Sequence, residues 1–259
     1  MVLSGRYCNS DSNFPVLIDM MKYWPLALSV LAAALPQCTH APGAAPFASL
    51  SLPAEFCYLD TVAPAVRVDL KYSGSDNFVG RPIAGYSGKR AVLRRDTALA
   101  LKKAADLLAK QGLGLLVWDA YRPACAMSDF RRWSRTPDDR MKARFYPNIT
   151  KQGIYDGKYI GDISEHSWGI AVDVTLVDLR SGRELDMGGH HDLLDVSSAT
   201  ESPLVTPQQR ANRLKLRDAM AAVGMKNYHT EWWHYFLADP GKLFSYNFEL
   251  RDDLLSSPH

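Results

Sequence analysis

The chain has no apolar stretch long enough to span a bilayer: its longest run, Trp24 to Leu35, falls short of the ~20 residues a transmembrane helix needs. Cysteine is scarce, with 4 in 259 residues and no Cys-x-x-Cys, which argues against dithiol redox chemistry and a structural zinc finger. Neither sign of charge dominates, since 30 Lys and Arg against 28 Asp and Glu leave a net +2. The densest basic stretch, Arg131 to Arg144, also contains Asp138 and Asp139 and has no interleaved aromatic stripe, so a nucleic-acid partner is not expected. Gly-x-Ser-x-Gly, Ser-x-x-Lys and Lys-Thr-Gly are all missing, which excludes the common serine acyl-transfer designs. Gly88-Lys89, Gly157-Lys158 and Gly241-Lys242 are not followed by Ser or Thr, so there is no P-loop. Internal repeats are absent as well.

What the chain does have is a core-forming composition, 47% hydrophobic and 22% charged, suited to one globular domain. Lys22, the Trp24–Leu35 run and the small residues of Ala41 to Ala48 follow the order of an export signal. Residues 1–49 are therefore expected to be leader and linker, with Met20 or Met21 as the natural start, and 50–259 the functional domain. Export implies a periplasmic protein, with lipid anchoring at Cys38 as the alternative. In that compartment Cys57 and Cys125 could form one disulfide or remain two buried thiols.

Alternation in Val66–Tyr72 predicts a strand that runs into a turn over Ser73–Asn77. Thr97–Gln111 reads as a helix with Leu101, Ala104, Ala105 and Leu108 facing inward, stopped at Gly112. A strand over Leu113–Trp118 follows, then a helix from Pro123 to about Trp133. Residues from Thr136 to Gly161 read as a long surface excursion. A strand is expected over Gly169–Leu176 and a helix over Pro207–Val223, capped by Thr206, with Leu216, Met220 and Val223 inward. Tyr228–Leu237 reads as the last strand. Strands separated by helices without a regular βαβ rhythm indicate an α+β fold: one domain, with a central, mainly antiparallel sheet flanked by helices.

The chemistry is concentrated in Ser164-Glu165-His166, Asp173 and Glu231-Trp232-Trp233-His234. Two imidazoles and a carboxylate, His166, Asp173 and His234, make a three-ligand zinc site with a position left for water. Glu231 is placed like a general base, and two flanking tryptophans would raise its pKa by desolvation. A buried guanidinium at Arg122 could bear the charge of a tetrahedral intermediate. His166 and Asp173 are an odd number of residues apart, so an ideal strand would point them to opposite faces; a turn at Ser167–Gly169 would resolve this. Glu231 and His234 share the parity problem, which a bulge or a side chain reaching round would relieve. His190, His191 and His229 are competing ligands, each expected beside the site or on the surface.

Ser-x-His-x-x-Gly-x-Ala-x-Asp (Ser164 to Asp173) followed by Glu-x-Trp-His (Glu231 to His234) resembles the zinc D,D-peptidases, and within them the D-alanyl-D-alanine dipeptidases of the vancomycin-resistance type. The likeness runs from about Val66 to Phe236 and takes in Asp69-Leu-Lys-Tyr72, Asp76-Asn-Phe78, Asp119-Ala-Tyr-Arg-Pro123 and Asp186-Met-Gly188. It implies one Zn2+ per chain on His166, Asp173 and His234, with Glu231 as base and Arg122 stabilising the transition state. It further implies Tyr72 and Asp192 at the substrate's ammonium, Ser164 near its carboxylate, and the small dipeptide D-Ala-D-Ala as substrate. D,D-carboxypeptidase action on longer wall peptides and non-catalytic wall-peptide binding are the alternatives. The chain departs from the resemblance at Gly188-Gly189-His190-His191, where the relatives carry a threonine and an aromatic residue.

Overall fold

The computed structural model describes residues 51–161 and 164–255, with Gly157 and Lys158 described by backbone alone. The leader, the linker to residue 50 and Cys38 lie outside these residues.

The architecture is α+β, as the sequence predicts. In chain order it contains β1 (Phe56–Tyr58), α1 (Leu59–Val62), β2 (Arg67–Val68), β3 (Val92–Arg94), α2 (Arg95–Ala109), β4 (Leu113–Asp119) and α3 (Ala124–Ser134). Short helices α4 (Lys142–Phe145) and α5 (Lys151–Gly153) follow, then β5 (Ala171–Asp178), α6 (Pro207–Ala221), β6 (Met225–Asn227) and β7 (His234–Leu237). The main sheet has five strands in the order β2-β4-β5-β7-β6. Only the β2–β4 pair is parallel. β1 and β3 form a separate antiparallel pair.

Every residue of β4 is buried, and β5 is buried apart from its last residue, because helices cover the sheet. From α2, Leu101, Ala104, Ala105 and Leu108 enter the core. On α6, Leu216 and Met220 do the same, and Val223 packs against them from just beyond the helix. Thr206 begins α6 with a full capping box: its side chain accepts from the Gln209 N–H, and the Gln209 side chain returns to the Thr206 N–H.

Three expectations are corrected. The Val66–Tyr72 strand stops after Val68, because the chain turns through a 3-10 segment, Lys71–Ser73, and buries Tyr72. Asn77 holds that turn, donating to the carbonyls of Lys71, Gly74 and Arg81 and accepting from the N–H groups of Val79 and Gly80. The Thr136–Gly161 excursion is not all surface: Phe145, Tyr146 and Ile154 are core residues, which short helical turns deliver. The expected strand Tyr228–Leu237 begins only at His234, because Asn227 donates to the carbonyls of Glu231 and His234 and closes a loop between β6 and β7. Of the two states left open for Cys57 and Cys125, the bridge is not formed, since Cys57 is a free, buried thiol.

Candidate active site

Backbone register brings the chemistry together. Asp173 on β5 pairs with His234 on β7 and, on its other side, with Asp119 on β4. The β4–β5 register shifts between Val117 and Asp119. Without that shift Trp118 would oppose Asp173; the bulge re-aims the strand end and puts Asp119 there instead. Directly paired residues project to the same face, so Asp119, Asp173 and His234 form one row across three strands.

His166 arrives from outside the sheet. It sits in a 3-10 turn, Glu165–Trp168, which ends at Gly169 with φ 72°. That left-handed turn resolves the odd spacing to Asp173 in the manner anticipated. Gly169 is required twice over, since an added Cβ would also lie 2.3 Å from the Phe56 ring. Nδ1 of His166 lies 2.7 Å from the Ala120 carbonyl, which can only accept, so the proton is on Nδ1 and the Nε2 lone pair faces inward.

There Nε2 of His166 is 3.1 Å from Nδ1 of His234 and 3.4 Å from Oδ1 of Asp173, and His234 Nδ1 is 3.1 Å from the same oxygen. A tetrahedral ion with ligand bonds of ~2.0–2.2 Å needs its ligand atoms roughly 3.3–3.5 Å apart. The three buried donors fit a metal ion with little movement. Burial alone would raise the Asp173 carboxyl, but His166, His191 and His234 reverse this and hold it well below the usual carboxylate range.

A second cluster, Asp173, His191 and Asp192, is equally close-set. It is the poorer cation site, because the Arg122 guanidinium stands 3.7 Å from Asp173 Oδ2 on that side. His190 contacts the carbonyls of His191 and Arg144, and His229 is exposed, so neither competes for the ion.

Arg122 is buried and forked onto Asp119, with Nε 3.0 Å and Nη2 2.9 Å from Oδ2, while Tyr86 donates to Oδ1 at 2.7 Å. Asp119 also lies 3.4 Å from His166 Nδ1, so it positions the arginine and steadies the first histidine together. Sequence reading did not assign Asp119 a role, although its position three residues before Arg122 was a signal.

Glu231 is buried in the loop before β7, its Oε2 3.9 Å from His234 Nδ1. Because Glu231 precedes the strand, its parity with His234 does not matter. Burial pushes its carboxyl up to about 8, against the pull of His234 and with help from Asp173 and Asp192.

Tyr72 donates to Asp192 Oδ2 at 2.7 Å, and Asp192 takes a left-handed backbone conformation, φ 58°. Burial raises the Asp192 carboxyl, opposed by His191. Ser164 accepts from the His166 N–H at 3.3 Å, capping the turn. All eight residues singled out from the sequence (Tyr72, Arg122, Ser164, His166, Asp173, Asp192, Glu231 and His234) line one cavity, together with Phe78, Tyr159, Leu194 and Tyr228. Its volume, about 210 Å3, lies below the ~300–1,000 Å3 of clefts for drug-sized ligands and sets a small ligand.

Comparison with known proteins identifies the family. A family model described as D-ala-D-ala dipeptidase matches residues 53–252. The chain is 42% identical to the D-alanyl-D-alanine dipeptidase of Streptomyces coelicolor over 186 residues, 71% of this chain and 92% of the relative. It is 39% identical to that of Enterococcus faecium over 185 residues, again 71% and 92%, and 33% identical to that of Escherichia coli over 186 residues, 71% and 84%. The chain therefore belongs to the D-Ala-D-Ala dipeptidase family of peptidases.

Proposed function

We propose that this chain hydrolyses D-Ala-D-Ala to free D-Ala in peptidoglycan turnover or remodelling, using one Zn2+ held by His166, Asp173 and His234. The observation that carries the reading is the convergence of those three donors within 4.8 Å of one another in a cavity that Glu231 and Arg122 also line. The names of the relatives supply the substrate.

When bound, a divalent ion supplies Lewis acidity, which activates water and polarises a peptide carbonyl. The protein does the rest. Glu231 takes a proton from the attacking water at its carboxylate and passes it to the leaving amine, so one water is consumed and two amino acids are released. Its raised pKa suits this, because a group that ionises too readily would be a weak base. A cation held by the neighbouring triad would lower that value toward the working range. Arg122, held rigid by Asp119, bears the charge that develops on the carbonyl oxygen, an effect of ~3–4 kcal/mol.

Asp192 receives the substrate's ammonium, with Tyr72 fixing its other oxygen, since an unpaired buried ammonium would cost several kcal/mol. Ser164 lies toward the carboxylate end. The functional domain is residues 50–259. Export to the periplasm rests on the leader-like order of residues 22–48, and among the described residues no helix is long and apolar enough to cross a membrane.

The test is to incubate the purified protein with D-Ala-D-Ala, L-Ala-L-Ala and a D-Ala-D-Ala-terminated pentapeptide, measuring bound metal alongside. Rapid cleavage of the free D,D dipeptide alone is expected. Comparable cleavage of the pentapeptide would make the protein a D,D-carboxypeptidase, and tight binding without turnover would make it a wall-peptide binding protein.

A further inference from the structure

His191 immediately precedes Asp192, and the structure gives its ring a specific task. Its Nε2 lies 3.0 Å from Asp173 Oδ2 and 3.4 Å from Asp192 Oδ1. The ring is buried, and its other nitrogen, Nδ1, makes no hydrogen bond among the described residues. A neutral imidazole carries one proton, and here the acceptors are all on the Nε2 side. Nε2 is therefore a donor whether the ring is neutral or charged, and it has no lone pair to offer a metal.

The two carboxylates it meets serve different partners. Asp173 turns Oδ1 toward His166 and His234, leaving Oδ2 to His191. Asp192 gives Oδ2 to Tyr72, and its Oδ1 faces His191 Nε2 at 3.4 Å as a charge contact, on a backbone held at φ 58°. The loop itself is pinned from α6: Arg213, fully buried, donates to the carbonyls of Met187, Ser197 and Ala199 on either side of it. Trp118, Trp233 and Tyr72 wall the imidazole in by edge and tilted contacts, leaving the ring little freedom to swing.

We infer that His191 is a positioning residue that joins the metal-binding carboxylate to the ammonium-binding carboxylate, hydrogen-bonding the first and facing the second at 3.4 Å, and so sets the distance between ion and substrate N-terminus. This rests on the proposed roles of Asp173 and Asp192. Hydrogen bonds to the far oxygen of a metal ligand typically tune metal affinity ~10–100-fold, and here the same ring also stands against the substrate's counter-ion.

His191→Phe keeps the ring and its aromatic walls but removes the N–H; His191→Gln keeps a donor. Zn2+ affinity of the metal-free proteins, measured by chelator competition, is expected to fall ~10–100-fold in the phenylalanine variant. At saturating Zn2+ its KM for D-Ala-D-Ala should rise with a much smaller change in kcat, and the glutamine variant should recover most of both losses. A phenylalanine variant that matches the parent in zinc affinity and KM overturns the inference, as does a glutamine variant impaired as badly as phenylalanine. Nitrogen-15 NMR of histidine-labelled parent protein needs no variant: Nε2 of His191 should stay protonated as Zn2+ is added, and its deprotonation would overturn the assignment. A parent that binds no zinc at all would instead overturn the reading of the metal site on which this depends.

Discussion

Asp173 and His234 stand directly opposite each other on adjacent antiparallel strands, with Oδ1 and Nδ1 3.1 Å apart and both side chains buried. An anion and an imidazole held that close, with a second imidazole nitrogen beside them, form a cavity floor that a cation would complete. A ligand that binds the folded chain alone must stabilise it.

Saturating the metal-free protein with Zn2+ at about a hundred times its Kd should therefore raise stability by ~2.7 kcal/mol. For a chain of this size that is a rise in Tm of roughly 5–10 °C. Calorimetry of the parent and of His234→Ala checks it: the alanine variant should lose most of the shift, and chelation should abolish activity until zinc is returned.

Glu231→Gln should lower kcat by ~10²–10⁴ while leaving the zinc-induced Tm shift in place, because Glu231 is not one of the three donors. The same variant has a stability signature in metal-free protein. Below about pH 4.5 the carboxyl is protonated in folded and unfolded chains alike and contributes nothing. Above that, the unfolded chain ionises while the folded one resists up to about 8, so stability is lost as pH rises through this window. Glutamine removes that loss, so metal-free Glu231→Gln should be more stable than the parent at pH 7, on the order of 2–3 kcal/mol. Denaturant titration at pH 4 and pH 7 measures the difference, which should vanish at the lower pH.

Gly169→Ala should be among the most damaging small substitutions. The left-handed backbone costs a non-glycine residue ~1–2 kcal/mol, and the new methyl meets the Phe56 ring at 2.3 Å, adding ~1–3 kcal/mol of repacking. Loss of zinc affinity should accompany the destabilisation, since this turn aims His166. Adding Phe56→Leu should restore part of the stability, and a double-mutant cycle reads how much.

Asp129 predicts an acid-side effect remote from the cavity. Arg81 forks onto it at 2.8 and 2.9 Å, Ala84 N–H and Arg132 add to it, and together they outweigh burial and hold the carboxyl below its usual range. A lowered carboxylate contributes stability that is present above its unfolded pKa and is lost as pH falls through the folded one. Asp129→Asn should thus cost about 1.5–3 kcal/mol at pH 7, a cost that shrinks as pH falls below the ordinary carboxylate range, as seen by thermal melts across pH.

Much of this was legible in the chain because the strongest signals are local. Helix α2 appears from Leu101, Ala104, Ala105 and Leu108 at helical spacing, α6 from the Thr206 cap and Pro207, and β4 and β5 from uninterrupted apolar runs. The donor types of the site were legible for the same reason, since two histidines, an aspartate and a nearby glutamate have few other uses in combination.

Residue order could not supply the register. Whether Asp119 or Trp118 faces Asp173 depends on a bulge between two strands, and a slip of one residue would turn every side chain to the other face. The early end of β2 and the late start of β7 were likewise settled by Asn77 and Asn227, whose side chains gather carbonyls in ways no periodicity reveals. The sequence by itself thus determined the fold class, the helices and the chemical identity of the donors. Only the tertiary structure decided which atoms meet, including Asp119 beneath Arg122 and His191 beside Asp173 and Asp192, because distances across strands and loops are set by packing of the whole core.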